Sequence, residues 1–278
     1  MSRFGQRTRI STAISGWMPT GDEVPQNTPT IELLLVGGGG TSGAGNGSQS
    51  GGGGGGGGVY SSVASNPGSG PGGSVQPVTS IASGVTYTIT VGGAATDSTF
   101  AAPTIPTITA TKGANGLSGG GTTGGAGGTA TGQPLSYAGG NVGPGNMGGG
   151  GAGASAVGLS GQTDNTGRGG AGISNTIRAA QPAPSNFSTQ IYGSGQPGGK
   201  VVGAYEDAPG QPGYFGSGGY GGQSSGPGLP ANSGNPGVCV LRYPDTYPVA
   251  TSTSGSPTQE TTGGYHIYAF TASGSIVF

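Results

Sequence analysis

A strand that runs straight into a wall of glycine constrains this chain more than any other feature. Ile31-Glu32-Leu33-Leu34-Leu35-Val36 is followed by Gly37 to Gly40, and a second wall, Gly51 to Gly58, comes after a short polar spacer. Glycine supplies 70 of 278 residues, against roughly 7% in ordinary proteins. It brings no side chain to a core and loses the most entropy on folding. An enzyme core of the usual kind is not built on such a sequence, and no catalytic function is expected.

Composition narrows the alternatives. Leu, Ile, Val and Phe fall below the roughly 20% level associated with disorder. Disorder also needs high net charge, yet charged residues are 6% of the chain and the formal charge is −1. If the chain is ordered, backbone hydrogen bonding must do much of the work of a core. Neutrality argues against nucleic acid, which calls for basic patches. No apolar run approaches the ~18 residues of a membrane span, and the polar N-terminus lacks the apolar stretch of a signal peptide. Arg3, Arg7 and Arg9 form a short basic arm that reads as a solvated terminus or a docking element.

Candidate chemistry is sparse. Cys239 is the only cysteine, which excludes an intrachain disulfide, a cysteine-based zinc cluster and a CxxC pair. Its setting, Val238-Cys239-Val240, reads as a buried strand thiol. His266 is the only histidine and sits in a strand-like run, where a structural role is expected. Gly195 to Val201 approaches a phosphate loop but lacks the Ser or Thr after Lys200. Asp164-Asn165-Thr166-Gly167 reads as a turn. No metal and no cofactor is expected.

Strands are legible in several places. Residues 30–36 form a continuous apolar run, which implies burial on both faces. Residues 85–91, Val-Thr-Tyr-Thr-Ile-Thr-Val, alternate with period two. Short strands are expected at 98–100 and 106–110, and another at 237–243, closed by Pro244. Tyr265 to Phe270 and Ser275 to Phe278 flank a Ser-Gly turn and read as a hairpin. No helical pattern of useful length is present.

The tracts between these strands admit two readings. One is a flexible linker. The other is packed polyglycine: a polyproline II helix has three residues per turn and no internal hydrogen bonds. Glycine-rich helices of that kind can lie close together and bond to one another, satisfying buried backbone groups without side chains. Collagen is excluded because the strict third-residue glycine is not kept.

The order of motifs favours the packed reading. Val36-Gly-Gly-Gly-Gly, then Tyr87-Thr-Ile-Thr-Val91-Gly-Gly, then Asp97-Ser98-Thr99-Phe100, then Ala110-Thr-Lys-Gly113, and finally Gly237 to Arg242-Tyr243-Pro244 together resemble the glycine-rich domain of bacteriophage tail fibres, adhesins and related virion proteins. The resemblance covers roughly 30–244. It implies a mainly β fold with little regular structure: short edge strands around a core of packed polyglycine II helices, without significant α-helix. It divides the chain into an N-terminal docking arm (1–29), the glycine-rich domain (30–244), and a C-terminal linker with a β-hairpin (245–278). In this family such a hairpin often precedes the domain. Here it follows it, and strand 275–278 is expected beside strand 31–36, in the same chain or a neighbouring copy.

By resemblance, the expected function is host attachment by a virion protein through loops on a glycine scaffold. The alternative is a capsid decoration or fibre-adaptor protein with a purely structural role. Expected partners are other tail, baseplate or capsid proteins, a host cell-surface glycan or protein, and further copies of the chain, three where it forms a fibre. Aromatics in the breaks between tracts offer large contact area at low entropic cost. Tyr60 and Tyr137 lie in early breaks. The cluster Phe187, Tyr192, Tyr205, Glu206, Asp207, Tyr214, Phe215 and Tyr220 is the candidate receptor-binding face.

Overall fold

The computed structural model describes residues 29–46, 50–63, 65–66, 79–118, 123–132, 136–161, 167–175, 177, 191–192, 215–216 and 233–278. Within them, strands follow the sequence as β1 (Thr30–Val36), β2 (Val59–Ser61), β3 (Ser65–Asn66), β4 (Thr79–Ser80), β5 (Thr86–Thr90), β6 (Ser98–Ala102), β7 (Ile105–Ala110), β8 (Ile173–Asn175), β9 (Ile191–Tyr192), β10 (Val238–Pro244), β11 (Ser252–Ser254), β12 (Thr258–Thr262), β13 (Tyr265–Phe270) and β14 (Gly274–Val277). Two larger antiparallel sheets run β12-β13-β10-β1-β2, with β4 beside β1, and β11-β14-β5-β6-β7. A small ladder joins β3, β8 and β9. The described residues contain no α-helix, only a 3-10 turn at Pro144–Asn146, so the mainly β expectation holds.

The apolar run of β1 explains the layering. Side chains alternate across a strand, so Ile31, Leu33 and Leu35 point one way and Leu34 and Val36 the other. The first set packs with Tyr87, Ile89, Phe100, Ile108, Cys239, Leu241, Tyr268, Phe270 and Ile276 between the two large sheets. The second packs with Val59, Val238, Val240, Ile267, Ala269, Ile173 and Ile177 on the far face of the first sheet. Both faces of β1 are buried over its last four residues, as the apolar run Leu33-Leu34-Leu35-Val36 predicts. Across the β1–β10 register, Glu32 lies opposite Arg242, and the two form an ion pair. The Arg242 guanidinium also donates to Ile177 O at 3.0 Å and sits 4.4 Å over the Tyr265 ring.

The C-terminal segment is wired differently from the sequence expectation. β14 does not lie beside β1: it pairs with β5 and β11 in the second sheet. Nor does it form a hairpin with β13, which pairs with β10 and β12 in the first sheet. The hairpin in this segment is β12–β13, closed by Gly263 and Gly264, both at positive φ. Residues 271–273 therefore carry the chain from one sheet to the other. The Phe278 ring meets Tyr87 and Tyr243 edge-on at 5.6 and 5.3 Å. Tyr243 is buried; its hydroxyl donates to Pro248 O at 3.1 Å and faces Tyr268 Oη at 3.4 Å. Burial and the Tyr268 hydroxyl push the Tyr243 phenol above its ordinary range. Tyr60 also belongs to the core, on β2; it is not a loop aromatic.

Where β1 ends, hydrogen bonding changes from a ladder to a lattice. Gly37 N donates to Gly58 O, Gly38 N to Thr96 O and Gly39 N to Asn235 O, each at 2.9 Å. Three successive residues thus reach three different neighbours. At the next step the pattern repeats: Gly40 N reaches Gly55 O and Gly43 N reaches Gly52 O. A bonding repeat of three residues is the geometry of polyproline II. Among the described residues, eight such rods can be followed through the backbone bonds, at 37–43, 51–58, 111–117, 123–129, 137–143, 148–153, 156–161 and 167–172.

The second and sixth rods are central. Rod 51–58 bonds to rods 37–43, 111–117, 123–129 and 148–153 and to Gly216. Rod 148–153 bonds to rods 51–58, 123–129, 137–143, 156–161 and 167–172. Every residue of both is buried. A Cβ on Gly52, Gly55 or Gly58 would drive into the carbonyl oxygens of Thr123, Ala126 and Thr129. That is why the longest pure glycine tract is the one enclosed on all sides. Outer rods need glycine only on their inner line: in rod 111–117, Gly113 and Gly116 are buried, while Ala114, Asn115 and Leu117 are exposed.

Candidate recognition tip of the glycine slab

Rod directions determine where the turns fall. Rods 37–43 and 111–117 run parallel, shown by Gly113 N to Gly38 O and Gly116 N to Thr41 O. Rods 137–143 and 156–161 are also parallel. Sequential rods are antiparallel, so the rods ending at residues 43, 117, 143 and 161 all end remote from the sandwich. These four rod ends form one tip.

Side-chain oxygens finish the rods there, as caps finish helices. Thr41 N donates to Asn115 Oδ1 at 2.9 Å, Ala44 N to Ser118 Oγ at 3.1 Å and Asn141 N to Ser160 Oγ at 3.3 Å. Ser50 N donates to Asn146 O at 3.2 Å, tying two reversals together. The turn Pro144–Asn146 places Asn146 at φ 61°, a left-handed conformation that asparagine tolerates.

The tip is apolar and amidic. Leu117 (53% exposed), Val142 (47%) and Leu159 (50%) stand in water near the rod ends, beside exposed Asn141 and Asn146. Arg168 is the charged side chain at this end among the described residues. Sequence reasoning passed over these positions because it sought aromatics; the signal available was large aliphatics inside tracts made mostly of small residues.

The predicted aromatic face is placed only in part. Phe215 is half-buried and packs against the Leu34–Val240 cluster, and Gly216 beside it accepts from Gly57 N at 2.7 Å. Phe215 therefore seals the slab onto the first sheet. Tyr192 contributes backbone to β9; its side chain lies outside the described residues, as do Phe187, Tyr205, Glu206, Asp207, Tyr214 and Tyr220. Tyr137 is half-buried, with its carbonyl accepting from Gly127 N. His266 is buried: Nδ1 lies 2.8 Å from the Thr261 hydroxyl and Nε2 lies 3.0 Å from Tyr247 O. A ring nitrogen facing a carbonyl must carry the proton, so Nε2–H donates there and pins the 245–250 loop. No group of three or more metal-ligating side chains converges among the described residues.

No curated protein and no solved structure matches the chain. The family model described as Glycine-rich domain matches residues 18–244. That stretch takes in β1, all eight rods and the closing strand β10, and it is most of the chain: the protein belongs to the glycine-rich domain family.

Proposed function

We propose that this chain is a bacteriophage virion protein, a tail fibre or adhesin, that attaches to the host through the tip of its glycine slab. The observation that carries the reading is the division of labour. A sandwich with two buried cores anchors the rods, and four rod ends gather far from it, where Leu117, Val142 and Leu159 stand exposed. Binding residues commonly sit on loops held by a rigid scaffold. The resemblance in motif order supplies the virion context, other virion proteins as partners, and a host surface glycan or protein as receptor.

Two experiments test it. Gold-labelled antibody against the chain, viewed on intact virus particles, is expected at the distal tail. Label on the capsid would favour the decoration alternative, and absence from particles would end both virion readings. The triple variant Leu117→Ser, Val142→Ser, Leu159→Ser is expected to lower binding to host cells at least about ten-fold, the scale of one lost hot spot, with the melting temperature unchanged. Undiminished binding would remove the tip as the attachment site.

A further inference from the structure

Asn115 and Gly116 lie near the far end of rod 111–117. Asn115 Oδ1 accepts from Thr41 N at 2.9 Å, and Gly116 N donates to Thr41 O at 2.8 Å. One residue of the neighbouring rod thus holds both halves of an Asn-Gly dipeptide.

That dipeptide is chemically labile, because glycine offers no side chain to shield its nitrogen. The Gly116 nitrogen can attack the Asn115 side-chain carbonyl carbon. A new C–N bond closes a five-membered imide, the nitrogen's proton passes to the departing amide, and ammonia leaves. Water then opens the imide at either carbonyl, giving aspartate or isoaspartate. The attack requires the glycine nitrogen to swing toward the side-chain carbon and give up its hydrogen. Here that hydrogen is committed to Thr41 O, and the side-chain oxygen is drawn to Thr41 N, along the adjoining rod.

We propose that Asn115 is a gated modification site, kept as asparagine by Thr41 and converted when rods 37–43 and 111–117 part at the tip. The conversion is one-way. Aspartate at 115 still accepts from Thr41 N and leaves the lattice closed. Isoaspartate adds a methylene to the main chain, breaks the three-residue repeat, and takes Leu117 N out of register with Thr123 O, to which it donates at 3.0 Å. Opening of the slab is thereby recorded and, for the isoaspartate product, fixed. The proposal does not depend on the attachment reading.

The test uses the full chain in mildly alkaline buffer, folded or in concentrated urea, with peptide mapping by mass spectrometry that separates the two products. Conversion at Asn115 is expected to be at least about ten-fold slower in the folded chain, the factor that holding bonds of ordinary strength supply. Thr41→Pro removes the donor to Asn115 while suiting polyproline II geometry. It is expected to raise the folded-state rate while leaving the melting temperature near that of the parent. Equal rates for the parent in buffer and in urea would overturn the proposal whether or not the proline variant folds. A folded Thr41→Pro chain converting at the parental rate would overturn it as well.

Discussion

Cys239 sits between Leu35 and Phe270 in the register of the first sheet, fully buried, and burial pushes its thiol well above the ordinary value of 9.0. Tyr243 and Tyr60 are raised above 10.0, also by burial first. Each group ionises at a higher pH in the folded chain than in the unfolded one, where it ionises at its ordinary pH. Their stabilising effect is therefore complete below about pH 9 and is lost as pH rises. Chemical denaturation between pH 7 and 11 should show a plateau, then a fall that Cys239 alone makes about 1.4 kcal/mol per pH unit. A thiol reagent should leave the native chain unmodified, and rapid labelling at neutral pH would contradict the burial. Arg242→Ala removes the Glu32 pair, the bond to Ile177 O and the contact with Tyr265. It should cost about 2 kcal/mol, between a surface pair and a buried one, and Arg242→Lys should not restore it, since an ammonium lacks the planar fork. The burial of Cys239 was legible in its Val-Cys-Val setting. That of Tyr60 was not, because Val59–Ser61 looks like the end of a glycine tract until its pairing with β1 is known.

Among elements, β1, β5, β6, β7, β10 and β13 lie where apolar runs and period-two alternation put them. β12 was not legible: Thr-Gln-Glu-Thr-Thr has no apolar alternation, because it is a solvent-facing edge strand. Missing it led to the wrong hairpin. The Ser273-Gly274 pair looks like a turn between β13 and β14, while Gly263-Gly264, with positive φ at both residues, is the turn that suits a two-residue hairpin. The corrected wiring raises the stakes of the C-terminal segment. β13 is interior to the first sheet and β14 interior to the second. Deleting residues 265–278 should therefore abolish the cooperative thermal transition seen by circular dichroism; a truncated chain that melts like the parent would contradict this topology. Phe215→Ala should lower stability by about 1–2 kcal/mol, appropriate to a half-buried ring, measured by urea unfolding.

At the scale of the molecule, a side-chain core and a backbone lattice share the load. The sandwich is built from apolar strands by ordinary rules. The slab replaces side-chain packing with close backbone approach, and glycine content follows enclosure: pure in rod 51–58, nearly so in 148–153, and diluted by Ala, Thr, Asn and Leu at the rim. The presence of such a layer was legible in the tracts. Which rod sits at the centre was legible only in hindsight, from tract purity, and the gathering of four rod ends into one tip was not, since it depends on rod directions that composition does not carry. The tip proposed for attachment thus rests on the lattice, and the most direct test of the lattice is the thermal stability of Gly55→Ala set against Gly93→Ala. Gly55 is enclosed, with carbonyls of Ala126 and Gly125 where its Cβ would go, whereas Gly93 is exposed, with only the Thr96 hydroxyl 3.8 Å away. Gly55→Ala should lose about 3 kcal/mol, the upper end of overpacking costs, or fail to fold, while Gly93→Ala melts close to the parent. Equal melting temperatures for the two variants would contradict the packed polyglycine slab.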